Sequence, residues 1–131
     1  MPFRRIVVAT DASEPADRAL DLAAELARTG GATLTLVTAV SGLEMVLDAE
    51  QQGAARSLAE RATRLRGQDL LVETVVQVGS ASDIVTEVAE ATGADLVVAG
   101  STGKGALQRV VLGSVTTRLL HVLRRPLLVV P

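Results

Sequence analysis

Two short glycine-containing segments carry most of the chemical information in this 131-residue chain. Residues 100–103 follow the apolar run 96–99, and residues 113–117, separated from Gly103 by nine residues, open a helical pattern. Backbone N–H groups at such turns and at helix N-termini bind anions, and a Cβ there would hold phosphate oxygens away. The spacing therefore predicts a phosphate site at the carboxyl side of one strand, with hydroxyl groups supplied by Ser114 and Thr116.

Composition narrows the class of protein. A hydrophobic fraction of 48% and a charged fraction of 21% predict one folded domain over residues 1–131. The net charge of −2 argues against nucleic acid or an anionic membrane as partner. The absence of cysteine excludes disulfides, thiol nucleophiles and zinc–thiolate sites. No apolar run approaches the ~18 residues of a membrane span and no signal peptide is visible, so we expect a cytoplasmic protein.

Hydrophobic periodicity predicts five strands that alternate with four helices. Ser13 is the expected N-cap of the first helix and Ser82 of the third. Several strands are apolar on both faces, which is typical of a parallel sheet covered by helices on both sides. We therefore predict a Rossmann-like α/β fold with the strand order 3-2-1-4-5, consistent with right-handed crossovers. The predicted strands are 6–10, 33–40, 71–78, 96–99 and 127–130, and the helices lie near 16–28, 46–66, 82–93 and 114–123.

This strand order predicts where a ligand would bind. Open parallel sheets bind ligands at the carboxyl ends of their strands, at the point where the strand order reverses. Here the reversal falls between strands one and four. Asp11 follows the first of these strands and Gly100 follows the fourth. We expect a crevice with a carboxylate on one wall and a glycine turn on the other.

Four stretches of the chain resemble the universal stress protein family, in its small single-domain form. They are residues 6–13 with an Asp-x-Ser turn, residues 94–101, the spacing Gly-x2-Gly-x9-Gly-Ser from Gly100 to Ser114, and residues 125–130. The long glycine spacing marks the ATP-binding branch of that family. The resemblance covers nearly the whole chain. It implies five parallel strands in a fold that is also described as adenine nucleotide alpha hydrolase-like, with ATP at the switch point and often a homodimer.

The resemblance also implies how a nucleotide would be held. Asp11 would contact the ribose, the backbone near Ala39 would meet the adenine edge, and the glycine segments would surround the triphosphate. A Mg²⁺ ion would be bridged through the ATP phosphates, and the chain would contribute neither a metal site of its own nor a catalytic residue. The implied nucleotide-binding residues are Ala9, Thr10, Asp11, Ala39, Gly100, Thr102, Gly103, Lys104, Gly113, Ser114, Val115 and Thr116.

Simpler roles for several of these residues stay open at the level of sequence. Asp11 could only cap the first helix together with Ser13, the glycines could be ordinary turn residues, and Lys104 could be solvated. His121 is the only histidine, so no hydrolase-like nucleophile–base pair can be built, and we expect a packing or surface role for it. Asp95 begins strand four, at the end of the sheet away from the crevice, and is expected to be structural.

A stripe of carboxylates marks one face of the first predicted helix. Asp17, Asp21 and Glu25 follow helical spacing, with Arg18 and Arg28 close enough along the helix to pair with them. We interpret this stripe as a solvated face, because nothing else in the sequence suggests a metal site there.

The sequence as a whole favours an ATP-binding stress-response or signalling module over a fast enzyme. Two alternatives stay open, a nucleotide-free interaction module of the same fold and a slow ATPase or autophosphorylating protein. Strand five is short and apolar, and the strand order places it at the sheet edge, so we predict a homodimer through it. The predicted interface residues are Leu127, Leu128, Val129 and Val130.

Overall fold

The computed structural model describes residues 3–40, 44–102 and 112–131. Strands and helices alternate along the chain. The strands are β1 (Arg5–Ala9), β2 (Thr33–Val40), β3 (Leu71–Val78), β4 (Leu96–Gly100) and β5 (Leu127–Val130). The helices are α1 (Glu14–Gly30), α2 (Glu44–Arg66), α3 (Ala81–Thr92) and α4 (Ser114–Val122). Among the described residues, no helix is long and apolar enough to cross a membrane.

All five strands form one parallel sheet in the order β3-β2-β1-β4-β5, which confirms the predicted topology. The first strand is central, and it pairs with β2 on one side and with β4 on the other. The chain therefore leaves β1 and β4 in opposite directions across the sheet. This is the strand reversal at which a crevice forms in open α/β sheets.

Helices cover both faces of the sheet. Residues of α1 and α2 pack with Ile6 and Val8 on one face, and residues of α3 and α4 pack with Val7 on the other. Alternate residues of a strand point to opposite faces, so a buried parallel strand must be apolar throughout, as β1 is from Ile6 to Ala9. Both cores are aliphatic, with the single aromatic residue, Phe3, at the margin of the first.

The third helix begins one residue before its predicted cap. Gly79 has a φ of +146°, and Ser80 follows in an extended conformation as the N-cap. Its carbonyl accepts the N–H of Ile84 at 3.0 Å, the first bond of the helix. Ser82, the predicted cap, instead lies buried in the first turn. The prediction was wrong because either serine suits a cap, and the end of β3 decides between them.

Two carboxylates of the acidic stripe on α1 pair with arginines of α2, so the stripe is not simply solvated. Asp17 accepts two hydrogen bonds from Arg61 of α2, at 2.8 Å from Nε and 3.0 Å from Nη2. The hydrogen bond to Asp17 raises the pKa of the Arg61 guanidinium above its ordinary value. Asp21 forms a longer, more exposed pair with Arg64. The expected partners on α1 itself bond elsewhere, since Arg18 donates to the carbonyl of Pro131.

Candidate functional site

A cavity of about 400 Å³ opens at the carboxyl ends of β1 and β4, where the sequence predicts the crevice. Ten of the twelve residues implied by the resemblance line it; the other two, Gly103 and Lys104, lie outside the described residues. Contacts between any of these twelve residues and a ligand stay a prediction. The ten are Ala9, Thr10, Asp11, Ala39, Gly100, Thr102, Gly113, Ser114, Val115 and Thr116.

One side of the cavity is aliphatic, and most of it was not predicted. Val37 of β2, Ala81 and Val85 of α3, and Ala99 of β4 line this wall together with Ala39. Val37 could have been found from the sequence, because it shares a sheet face with Ala39 two residues further on. The α3 residues carry no such signal, since their position depends on how the crossover helix lies over β1 and β2.

The beginning of α4 also lines the cavity. Gly113 is the N-cap of this helix and offers no side-chain cap. The first bond within the helix runs from the N–H of Thr117 to the carbonyl of Gly113 at 2.9 Å. The backbone N–H groups of Ser114, Val115 and Thr116 therefore precede the intrahelical ladder and have no partner within it. Together they give this wall the partial positive charge of a helix N-terminus.

Two more helices begin at the same cavity. Ala16 of α1 and Ala81 of α3 both line it. The first turn of α1 is capped, because the hydroxyl of Ser13 accepts the N–H of Ala16 at 3.3 Å. The N-cap of α3, Ser80, makes no such bond to its helix. Three helix N-termini thus converge, and two of them have no side-chain cap, so the local field favours an anion.

Asp11 supplies a carboxylate at the end of β1 and lines the cavity. Its Oδ1 accepts the N–H of Ser13 at 3.0 Å. This bond holds the turn just before Ser13, the N-cap of α1, and Asp11 combines that turn role with a position on the cavity wall. A carboxylate held in this way has a fixed direction, which suits an acceptor for ligand hydroxyl groups.

Gly100 lies where β4, α1 and α4 meet. A Cβ on this residue would come within 2.8 Å of the carbonyl carbon of Pro15 and 2.9 Å of the backbone nitrogen of Ala16. Its own carbonyl accepts the hydroxyl of Thr116 at 2.8 Å. Glycine is therefore required here by the close approach of α1, in addition to any ligand. From the sequence, phosphate contact or an ordinary turn was expected for this glycine, and the close approach of α1 was not predicted.

The two described ends of the glycine segment are joined by backbone. The N–H of Gly113 donates to the carbonyl of Ser101 at 2.7 Å, and the N–H of Ser101 donates to the carbonyl of Val130 at 2.7 Å. These bonds tie the start of α4 to the ends of β4 and β5. They also mean that the N–H of Gly113 is already used, so the anion-binding donors of this turn are those of the three residues that follow.

The remaining polar residues singled out from the sequence lie away from the cavity. Asp95 accepts the backbone N–H groups of Arg4 and Arg5 at the opposite end of the sheet, which agrees with the structural role expected for it. His121 is exposed near the end of α4, and its Nδ1 lies 2.8 Å from the carbonyl of Thr117. Among the described residues, no group of three His, Cys, Asp or Glu side chains could hold a metal ion.

A comparison with protein-family models decides the family. The model described as the universal stress protein family matches residues 2–131. The chain belongs to the universal stress protein family. A universal stress protein of Synechocystis sp. is 31% identical over 135 residues, which cover 98% of this chain and 86% of that protein.

Solved structures of the family share the fold. The universal stress protein UspA from Lactobacillus plantarum has a TM-score of 0.89 at 23% identity, over 100% of this chain and 99% of that one. A universal stress protein solved in complex with cAMP has a TM-score of 0.81 at 26% identity, with 100% and 99% covered. One from Archaeoglobus fulgidus, in complex with dAMP, has a TM-score of 0.81 at 25% identity, with both chains fully covered.

Proposed function

We propose that this protein binds an adenine nucleotide, ATP, in the cavity between β1 and β4, and acts as a nucleotide-dependent module in stress response or signalling. The observation that carries the proposal is the start of α4 at this cavity without a side-chain cap, with the Asp11 carboxylate also on the cavity wall. The start of α4 would bind the phosphates, and the Asp11 carboxylate would accept the ribose hydroxyls. The relatives with bound cAMP and dAMP support an adenine nucleotide as ligand.

The phosphates would bind at α4. The backbone N–H groups of Ser114, Val115 and Thr116 are the donors, and the Ser114 hydroxyl adds another. Gly103 and Lys104 belong to the same predicted motif, and a lysine there would contact the outer phosphates. Replacing Lys104 with alanine should therefore weaken ATP more than AMP. Mg²⁺ would arrive bound to the phosphates, because one carboxylate lines the described cavity and this ion keeps most of its own waters.

The nucleoside would lie against β1, β2 and α3. Asp11 would accept the ribose hydroxyls, with Ala9 and Thr10 beside it, and the backbone near Ala39 would read the adenine edge. The wall behind the base is aliphatic, and no aromatic side chain lines the described cavity. Without ring stacking, the base contributes less to affinity. We therefore expect ATP to be preferred over GTP by less than about a thousandfold, or roughly 4 kcal/mol.

The site supports binding better than rapid turnover. Phosphoryl transfer needs a positioned base and cationic groups around the moving phosphate. Among the described cavity residues, Asp11 is the one carboxylate, and one of its oxygens already holds the Ser13 N–H. A nucleotide-free interaction module is the second candidate, and the uncapped start of α4 inside a cavity argues against it. Slow hydrolysis or autophosphorylation is the third.

We also propose a homodimer through β5. This strand lies at the edge of the sheet, and all four of its residues, Leu127–Val130, are only partly buried. Antiparallel pairing of two such edges about a twofold axis would satisfy their backbone groups and bury the side chains. Sedimentation equilibrium at micromolar concentration should give a dimer, and Val129→Lys should give a monomer. A monomeric wild type would contradict this assembly.

The proposed function can be tested by ligand competition. The purified protein is incubated with equal concentrations of ATP, ADP, AMP and GTP, passed rapidly through a desalting column and denatured. Mass spectrometry then identifies the nucleotides released. We expect adenine nucleotides, with ATP the most abundant. Release of no nucleotide, or of GTP alone, would contradict the proposal.

A further inference from the structure

The turn that presents Asp11 has an unusual backbone. Ala12 has a φ of +64°, in the left-handed region that alanine rarely adopts. A turn of this kind persists only where its surroundings hold it, and such turns cluster at ligand sites. The contacts that hold Ala12 therefore decide where the neighbouring Asp11 carboxylate points.

Thr10 is the residue through which the turn is held. Its N–H donates to the carbonyl of Val37 at 2.9 Å, just beyond the last paired residues of β1 and β2. Its hydroxyl accepts the N–H of Ala12 at 3.2 Å. Its carbonyl accepts the hydroxyl of Thr38 at 2.9 Å. The Thr38 hydroxyl thus takes the place of a backbone N–H donor just beyond the last paired residues of β1 and β2.

The bond from Thr38 acts directly on Asp11. The carbonyl of Thr10 belongs to the peptide group that joins Thr10 to Asp11, and a peptide group is planar. Fixing this carbonyl therefore fixes the plane from which the Asp11 side chain departs. Thr38 itself does not line the nucleotide cavity; it lines a neighbouring cavity of about 290 Å³ on the α2 side, together with Ala12.

We propose that Thr38 is a positioning residue for ribose recognition. Its hydroxyl holds the Thr10 carbonyl, and the held peptide directs the Asp11 carboxylate toward the 2′- and 3′-hydroxyls of a bound nucleotide. This inference rests on the proposed nucleotide function. Its consequence is a specificity for ribonucleotides over 2′,3′-dideoxynucleotides that depends on a side chain outside the binding cavity.

The test compares ATP with 2′,3′-dideoxy-ATP by isothermal titration calorimetry. The wild type should prefer ATP by about tenfold or more, the value of a well-made bond to a charged acceptor. Thr38→Val keeps the shape of the side chain and removes the hydroxyl. In this variant, the preference should fall below about threefold, with the affinity for the dideoxynucleotide unchanged. Thr38→Ser keeps the hydroxyl and should keep the preference.

A double-mutant cycle separates positioning from general damage. Asp11→Asn should lower the preference, and adding Thr38→Val to it should lower the preference no further. Retention of the full preference in Thr38→Val would overturn the inference while leaving nucleotide binding intact. An equal loss of affinity for both nucleotides would also overturn it, because that result indicates a structural role only. A wild type that binds neither nucleotide would refute the proposed function, and this inference with it.

Discussion

The hydroxyl of Thr116 donates a hydrogen bond to the carbonyl of Gly100 across 2.8 Å, and Thr116 is only 3% exposed. The bond joins the end of β4 to the first turn of α4. Because the hydroxyl proton is used in this way, Thr116 can offer a phosphate its backbone N–H but not its hydroxyl proton. The side chain thus fixes the position of the proposed phosphate-binding turn.

Replacing Thr116 with valine should destabilise the protein. The change removes one buried hydrogen bond at nearly constant volume, so the free energy of unfolding should fall by about 1 kcal/mol. Urea denaturation followed by circular dichroism measures this loss. Thr116→Ser keeps the hydroxyl and removes a buried methyl group, so its loss of about 0.8 kcal/mol measures the packing contribution of the side chain separately. Unchanged stability in the valine variant would show that the bond contributes nothing.

Gly100→Ala tests the packing role of this glycine independently of any ligand. The added Cβ would meet the backbone of Pro15 and Ala16, which cannot move aside without shifting α1. We expect a loss of about 1–3 kcal/mol in the free energy of unfolding, as for other overpacked sites. Gly53→Ala is the control, because a Cβ at Gly53 meets nothing within 4 Å and alanine suits the interior of α2 better than glycine, so this variant should be at least as stable as the wild type. If Gly100→Ala kept wild-type stability, the close approach would have no energetic consequence.

Gly113→Val should abolish nucleotide binding and leave the fold intact. Gly113 has a φ of −66° and a ψ of 165°, which valine can adopt, so the backbone should tolerate the change. The branched side chain would instead occupy the space beside the N-terminus of α4, where the phosphates are proposed to bind. Calorimetry with ATP, together with an unchanged circular dichroism spectrum, checks this. Wild-type affinity in this variant would refute the phosphate assignment.

The ion pairs between α1 and α2 should differ in strength. Arg61 and Asp17 form a two-bond pair with side-chain exposures of 20% and 40%, whereas Arg64 and Asp21 lie 3.4 Å apart with exposures of 51% and 66%. Double-mutant cycles on thermal stability should give a coupling of roughly 0.5–1 kcal/mol for the first pair and nearly zero for the second. Equal couplings would contradict this ranking.

The strands and helices could be predicted from the sequence because their signals are local, and general rules for connections in parallel sheets then gave the strand order. Strands that are apolar on both faces indicate a parallel sheet. Asp11, which follows β1, and Gly100, which ends β4, mark the two strand ends that border the crevice. With this strand order, Asp11 and Gly100 are predicted to lie at one crevice, and both line the cavity.

The remaining features depend on contacts between distant parts of the chain. Ala81 and Val85 reach the cavity because α3 crosses the sheet, and neither residue type signals this. Asp17 pairs with Arg61 of another helix instead of a neighbour on its own. The hydroxyl bond from Thr38 to Thr10 likewise depends on the register of two strands. Side-chain partners of this kind become visible only once the elements have been packed.

Equilibrium dialysis of the wild-type protein against ATP tests whether the cavity between β1 and β4 is a nucleotide site. We predict saturable binding of one ATP per chain, with a Kd well below about 1 mM, the concentration that corresponds to roughly −4 kcal/mol. Free inorganic phosphate should compete only weakly, because the ribose and base add contacts along β1 and β2. Absence of saturable ATP binding would show that this cavity is not a nucleotide site.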